Sequence, residues 1–290
     1  MERELYRQLY RIVWAMGEGF RCPRAQHSTW RIVMVYFWAV LHDRPVSWAT
    51  QADHWPLRGV HNPLPSNATM SRRLRHPLTA ALVQAVALHV LELLGYDPSV
   101  LFLDGKPLPV GGLSGDPDTT VGYGAGKRCR GYKLHAICDK SGVPVVWTVR
   151  TMRDPEWQVA GQLVQQLPAE SGYLVADGNY DKNPLYDQAG PCGRQLVATR
   201  HRGDGTGHRR QSPYRMKALG MDAPLRRQLL ARRSTIDRMF GHLCATGGGL
   251  APLPAWVRRQ HRVQLWVEAK IILYCLRMLS RRRPAAQEVA

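Results

Sequence analysis

Two apolar runs in this chain end the same way. Val100-Leu101-Phe102-Leu103 leads into Asp104-Gly105, and Tyr173-Leu174-Val175-Ala176 leads into Asp177-Gly178. Short continuous apolar runs are the pattern of strands buried on both faces, which lie in sheets covered by helices. Each run delivers an aspartate at its carboxyl end. If the two strands share a sheet and a direction, both carboxylates arrive at one edge.

The charge gives that edge a context. Net charge is +18, carried almost wholly by arginine. Residues 1–95 hold 11 Lys/Arg against 6 Asp/Glu, residues 96–199 hold 10 against 11, and residues 200–290 hold 19 against 5. A near-neutral middle with half of the acids, between basic flanks, suits a phosphate-binding protein with an acidic metal centre. A generally basic protein, with arginine in place of lysine, would show the same total. The six cysteines (Cys22, Cys129, Cys138, Cys192, Cys244, Cys275) include no C-x-x-C pair, so zinc spacing is absent and free thiols in a reducing cytosol are expected. Met1-Glu2-Arg3-Glu4 lacks the order of a signal peptide. The apolar run Ile32–Leu41 is about half a bilayer span. A cytoplasmic protein without a membrane partner is expected.

Residues 28–42 read as a helix with Ser28 as N-cap, apolar on nearly all faces and closed by His42-Asp43-Arg44-Pro45. A short helical segment over Ser47–His54 precedes a Pro/Gly/Asn-rich turn, Trp55–Pro65. Ser66 then stands where an N-cap belongs. In the helix that follows, Ala68, Ser71, Arg72 and Arg75 fall near one face, while Met70 and Leu74 turn toward the preceding helix. A small-residue first turn with an arginine-rich remainder suits a helix-turn-helix recognition helix. Small side chains permit approach to the major groove, and guanidinium groups meet phosphates or guanine edges. Ser66, Thr69, Ser71, Arg72, Arg73 and Arg75 are the DNA-contact candidates. The bland alternative is a surface helix with arginines on its wet side, and the preceding turn is longer than the compact motif has. Leu78–Leu94 continues as a helix to Gly95. Gly95-Tyr96-Asp97-Pro98 is the expected joint between a helical domain, 1–97, and a second domain, 98–282, with 283–290 as a basic tail.

Beyond the joint the pattern changes to strands. Val100–Asp104, Gly131–Asp139 and Val143–Thr151 read as three, the last two joined by a Ser141-Gly142 turn. Helices at Glu156–Leu167 and Lys182–Gln188 alternate with strands ending at Asp177 and Arg200. Ala223–Leu243 and Trp256–Leu279 are expected as long helices. This order resembles the RNase H-like fold: an α/β domain with a mixed five-stranded sheet flanked by helices, here preceded by a smaller all-α domain. In that fold the first and fourth strands are parallel neighbours, which would set Asp104 beside Asp177.

Phosphodiester cleavage with two magnesium ions needs one carboxylate bridging both and others anchoring each, the ions lying roughly 3.5–4 Å apart. A third acid is sought on a helix crossing the same edge. Asp237 is the candidate, the one acid in Arg232-Arg233-Ser234-Thr235-Ile236-Asp237-Arg238-Met239-Phe240-Gly241-His242-Leu243. An ordinary i−4 pair with Arg233 is its bland alternative. Lys133 and His135 alternate with Tyr132 and Leu134, so they share one face, turned either toward the metals and a scissile phosphate or toward solvent. Arg233 and Arg238 are placed to clamp phosphates. Tyr180 reads as a packing residue and Glu156 as a helix N-terminal charge. The basic loop His201–Lys217, with Arg209 and Arg210, is expected to grip phosphates, a solvated loop being the alternative. In the last helix Trp256 and Trp266 read as core, with Arg258, Arg259 and Arg262 outside for DNA or a partner.

Four segments in order, Phe102-Leu103-Asp104-Gly105-Lys106, Gly131-Tyr132-Lys133-Leu134-His135, Ala176-Asp177-Gly178-Asn179-Tyr180-Asp181 and Arg233-Ser234-Thr235-Ile236-Asp237-Arg238-Met239-Phe240-Gly241, resemble the DDE transposases of bacterial insertion sequences. Pro65-Ser66…Thr69-Met70-Ser71-Arg72-Arg73 resembles the DNA-binding part of that group. The resemblance spans roughly residues 45–280. It implies an enzyme that nicks element ends and joins their 3′-OH groups to target DNA, with two Mg2+ (or Mn2+) ions and no covalent intermediate. Asp104, Asp177 and Asp237 would be its catalytic, metal-binding acids. Its partners would be terminal inverted repeats, target DNA and at least a second copy of the chain, at the nucleoid of a bacterial cytoplasm.

One departure stands out. The family's signature is Tyr-x-x-Arg-x-x-x-Glu-x-x-x-x-x-x-Lys; here Leu230, Arg233, Asp237 and Cys244 occupy those four places. Aspartate reaches one bond less far, and a displacement near 1 Å at a catalytic ligand can cost about a hundredfold in rate. A DNA-binding protein without catalysis, decayed or recruited, is therefore the alternative. An RNase H-like nuclease is a third reading, against which the helix-turn-helix-like segment argues. A nucleophile elbow is absent.

Overall fold

The computed structural model describes residues 2–56, 63–124, 126–200, 210–245 and 249–282. They fall into two units, residues 1–95 with 243–290 and residues 96–242.

The first unit is helical. Helix α1 (Glu2–Gly17) buries Leu5, Leu9 and Val13, an i, i+4, i+8 stripe. Helix α2 (Thr29–Leu41) is buried on nearly every face, as its apolar sequence requires. The expected Ser47–His54 helix is broken into α3 (Val46–Ala49) and a 3-10 turn at Ala52–His54. Helix α4 (Asn67–Arg73) starts where expected, with Ser66 Oγ accepting the Thr69 N–H at 3.2 Å. Helix α5 (Pro77–Leu94) opens on a proline and stops at Gly95, whose φ of 63° is cheap only for glycine. By length and composition α5 could cross a membrane, but Leu82, Val83, Val86 and Val90 are buried in this unit's core.

The last helix, α11 (Gln260–Arg282), packs on α5, α2 and α1. The expectation above assigned it to the 98–282 domain; in the structure it completes the helical unit. The reason is coverage. Helices as apolar as α2 and α5 must be surrounded, and α11 presents Val263, Val267, Ile271 and Leu276 to them. Two polar ties join this packing. Lys270 Nζ meets Asp43 Oδ1 at 2.5 Å, and Arg282 donates to the Leu94 carbonyl at 2.7 Å.

The second unit is α/β. Its strands are β1 (Val100–Pro109), β2 (Thr120–Gly124), β3 (Lys127–Asp139), β4 (Pro144–Thr151), β5 (Gly172–Ala176) and β6 (Arg194–Ala198). Their order is β2-β3-β1-β5-β6, with β4 also on β3. β1, β3 and β4 are antiparallel neighbours, while β1–β5 and β5–β6 are parallel. This is the mixed sheet of an RNase H-like domain, with one strand more than the five expected. The addition, β2, pairs with the start of β3. Its glycines disguised it: a Cβ on Gly122 would collide with the Met152 backbone, so this strand cannot carry the usual β-branched pattern.

Helices α6 (Glu156–Val164), α7 (Asn183–Ala189), α8 (Pro213–Leu219), α9 (Ala223–Ala231) and α10 (Ser234–Ala245) complete the elements. Ala160, Leu163, Val164, Leu185 and Tyr186 pack with Leu101, Leu103, Ile137, Leu174 and Ala176 to form the core on one sheet face. The single long helix expected over Ala223–Leu243 is two helices, divided at Arg232–Arg233. Asp237 therefore stands in the first turn of α10, where a carboxylate is favoured by the helix dipole.

One buried network fastens α8 to the segment after β5. Arg215 donates from Nε and Nη2 to the two carboxylate oxygens of Asp181, each at 2.8 Å, and Tyr186 Oη donates to Asp181 Oδ1 at 3.1 Å. Both charged side chains are at most 5% exposed. Removing Asp181 strips the buried Arg215 guanidinium of this bidentate carboxylate. Asp181→Ala is expected to destabilise the protein by about 3–5 kcal/mol, read as a fall in the urea midpoint.

Candidate active site

The register of β1 on β5 brings the two strand-borne aspartates together. Val100 faces Tyr173, Leu101 faces Leu174 and Phe102 faces Val175; continued two residues beyond the last pair, the same frame directs Asp104 toward Asp177. β5 ends at Ala176, so Asp177 lies just beyond the sheet. β1 does not end with it. It runs on to Pro109 against β3, so Asp104 is a mid-strand residue rather than a terminal one. Both carboxylates are anchored locally. Asp104 Oδ1 accepts the Gly105 N–H at 2.7 Å, and Asp177 Oδ1 accepts the Asn179 N–H at 2.9 Å as the cap of a 3-10 turn.

Asp237 reaches the same neighbourhood. Burial pushes the Asp104 carboxyl up to about 7; the Gly105 N–H opposes this, the negative charges of Asp177 and Asp237 add to it, and Arg233 lowers it. Asp177 is raised as well, first by burial, then against its Asn179 hydrogen bond by Glu156, with Arg233 lowering it. Three aspartates thus share one field, and one guanidinium acts on the two strand-borne acids. The i−4 pair between Asp237 and Arg233 does not form, and the Asp237 side chain is exposed. Among the described residues no three acids, histidines or cysteines converge closely enough to hold a metal ion as they stand.

Glu156 and Tyr180 also border this field. Glu156 opens α6, pairs with Lys133 and raises Asp177. Its position directly after Asp154-Pro155, at the start of the crossover helix into β5, is the signal that could have found it. Tyr180 is a packing residue, as read, but its hydroxyl is buried without a partner. Burial first, then Asp104, Glu156 and Asp177, hold it well above the ordinary tyrosine range.

Other candidates need correction. Lys133 and His135 do share a face, but it is neither solvated nor that of Asp104. In the β1–β3 ladder Asp104 pairs with Ala136 and Gly105 pairs with His135, so alternation sends Asp104 to one side and His135 to the other. A Cβ on Gly105 would contact both Lys133 and His135, which fixes that side. His135 is fully buried with both ring nitrogens unpartnered, and burial beside Lys133 lowers it to about 3. Neither residue is available to DNA in this arrangement. Arg73 also turns inward, donating to the His27 carbonyl at 2.9 Å and to Thr29 Oγ1 at 3.0 Å. It ties α4 to α2 and is not a surface contact.

Ser66, Arg72, Arg75, Arg210 and Arg238 are exposed, and Thr69, Ser71 and Arg233 half-buried. The Ser66 and Thr69 hydroxyls bond each other at 3.0 Å, and Arg238 donates to Thr235 Oγ1 at 3.1 Å. Arg209, with His201, Arg202 and His208, lies outside the described residues, as does the 283–290 tail.

The raised Asp104 carboxyl has a stability consequence. Its pKa is about 7 folded against 3.8 in the reference state, so the folded protein holds the proton more tightly. Stability contributed by the neutral form is complete below about pH 4 and is lost as pH rises to about 7. Asp104→Asn is therefore expected to raise metal-free stability by roughly 2–4 kcal/mol above pH 7 and to change it little at pH 4. Thermal melts of both proteins across pH check this.

The family described as "Transposase DDE domain" matches residues 95–276. No curated protein and no solved structure matches the chain.

Proposed function

Because this chain belongs to the transposase DDE-domain family, whose members act on DNA and use divalent metal ions, we propose that it is a transposase that cuts transposon ends and joins the 3′-OH ends into target DNA. Asp104, Asp177 and Asp237 are its three acids in this reading. The observation that carries it is the parallel β1–β5 register, which directs Asp104 and Asp177 to the same end of the sheet, with Asp237 of α10 near enough to add its charge to the field at Asp104.

The donor set fits a hard divalent cation. All three groups are carboxylates, and Mg2+ and Mn2+ prefer oxygen ligands. Burial first, and then the negative charges of Asp177 and Asp237, raise the Asp104 carboxyl, and a bound cation would offset both. Two such ions, when bound, supply Lewis acidity at the attacking and leaving oxygens of the phosphodiester. Asp104 and Asp177 are held by backbone N–H groups and present fixed oxygens. The exposed Asp237, one bond shorter than glutamate, must turn toward them from the first turn of α10. Arg233 sits within the field of both strand acids and is placed to hold a scissile phosphate by charge-assisted hydrogen bonds. Exposed Arg72, Arg75, Arg210 and Arg238 supply phosphate contacts that position DNA without reading its sequence. The enzyme works as a homodimer on paired inverted repeats in a bacterial cytoplasm.

Asp104→Asn and Asp177→Asn are each expected to abolish Mg2+-dependent nicking and strand transfer on a duplex carrying the flanking terminal repeats, with duplex binding unchanged. Mg2+ should raise the melting temperature of the wild-type protein and leave that of Asp104→Asn unmoved. Normal cutting by either variant removes the site assignment. The second reading, a DNA-binding protein without catalysis, is favoured by Asp237 and by the lack of a converged acid cluster. Robust nicking by the wild-type chain eliminates it.

A further inference from the structure

The helical unit contains a cavity of about 250 Å³ that plays no part in the acidic site. Stretches distant in sequence build it, among them Tyr36 of α2 and Pro45-Val46-Ser47 at the start of α3. Asn67, Ser71 and Arg75, from α4 and the turn after it, form one wall; Trp256, His261 and Arg262, from the segment entering α11, form another.

Local packing explains why these residues face the cavity. Met70 is fully buried and Arg73 is bonded into the interior, so the opposite stripe of α4, Asn67-Ser71-Arg75 at i, i+4, i+8, is left over. Trp266 is fixed as part of the lining: its indole N–H donates to the Gly249 carbonyl at 2.9 Å, and Lys270 Nζ lies 5.1 Å from its ring. Trp256 is different. It is 39% exposed, the side chain of a large aromatic left at the mouth of a cavity.

The electrostatics are one-sided. No acid lines the cavity among the described residues. Arg75 spends Nε on the Ser71 carbonyl at 3.0 Å, and among the described residues neither its terminal nitrogens nor the exposed Arg262 guanidinium has an acidic partner. Against a largely apolar lining that includes Leu74, Val257 and Leu265, the cavity adds the Trp256 face, the guanidinium groups of Arg75 and Arg262, and the Asn67 amide and Ser71 hydroxyl.

We propose that this cavity takes one unstacked nucleotide of a DNA strand, with the base against Trp256 and its phosphate at Arg75 and Arg262. An aromatic face accepts any base by stacking, and the guanidinium groups match phosphate oxygens. Asn67 and Ser71 are positioned to hydrogen-bond a base edge. α4 then contributes to DNA binding together with the segment before α11 and not as an autonomous recognition helix. The inference rests on the reading of this chain as a DNA-acting protein, but it concerns binding and not cleavage.

The test compares the full-length protein on a short blunt duplex and on the same duplex with a short unpaired overhang, by fluorescence anisotropy at fixed salt. The overhang is expected to tighten binding roughly tenfold, the scale of one base–aromatic stack. Trp256→Ala removes that gain while leaving blunt-duplex affinity within about twofold, because phosphate contacts remain. Trp256→Tyr keeps an aromatic face and retains most of the gain, which separates stacking from damage to the fold. Arg262→Ala weakens both probes and flattens their salt dependence. Equal affinity of the wild-type protein for both probes, or a gain that survives Trp256→Ala, overturns the proposal. Overhang preference without Mg2+-dependent nicking defeats the transposase reading alone; nicking without the preference defeats the cavity alone.

Discussion

The parallel pairing of β1 with β5 is the interaction on which the candidate site depends. Only a few residue pairs are involved, yet their frame directs Asp104 toward Asp177. A slip of one residue would turn every side chain of β1 to the other face. The apolar residues themselves prevent it: Leu101, Leu103, Leu174 and Ala176 must all meet the α6–α7 core. The same alternation that buries these residues sends Asp104 and Phe102 to the opposite side. The acids are thus placed by the hydrophobic effect acting on their neighbours.

Burying Asp104 within the field of other carboxyls works against the stability of the metal-free fold. Asp104 is desolvated and faces two like charges, and the compensations are few: one backbone N–H and the positive charge of Arg233. Elsewhere the chain does the reverse. Asp181 with Arg215, Asp43 with Lys270 and Glu156 with Lys133 each bring a buried or half-buried acid to a cation. The contrast identifies the unusual site. Those three acids are paired with cations, while Asp104 is left desolvated beside like charges, an arrangement that a multivalent cation resolves.

Much of this was legible in the residues. The apolar runs before Asp104 and Asp177, the Ser66 cap and the Gly95 stop all behave as their local chemistry dictates. Three features were not legible. Strand β2 hides behind Gly122 and Gly124, where the Met152 backbone and the Pro107 and Met152 side chains leave no room for the side chains that mark a strand. The break at Arg232–Arg233 carries neither glycine nor proline. Arg72, Arg73 and Arg75 look equivalent as a sequence, yet only Arg73 turns inward, because the His27 carbonyl and Thr29 hydroxyl wait there.

Local sequence by itself determined most element types and the mixed α/β class and offered the candidate acids, since periodicity, caps and charge act over a few residues. It also determined that the chain is strongly basic around a near-neutral centre. Tertiary structure decided what requires distant partners: which face of β3 is covered, that α11 completes the helical unit, and that Asp237 meets the field of Asp104. Burial and charge coupling belong to neighbours brought together through space, and a residue's own segment does not specify them.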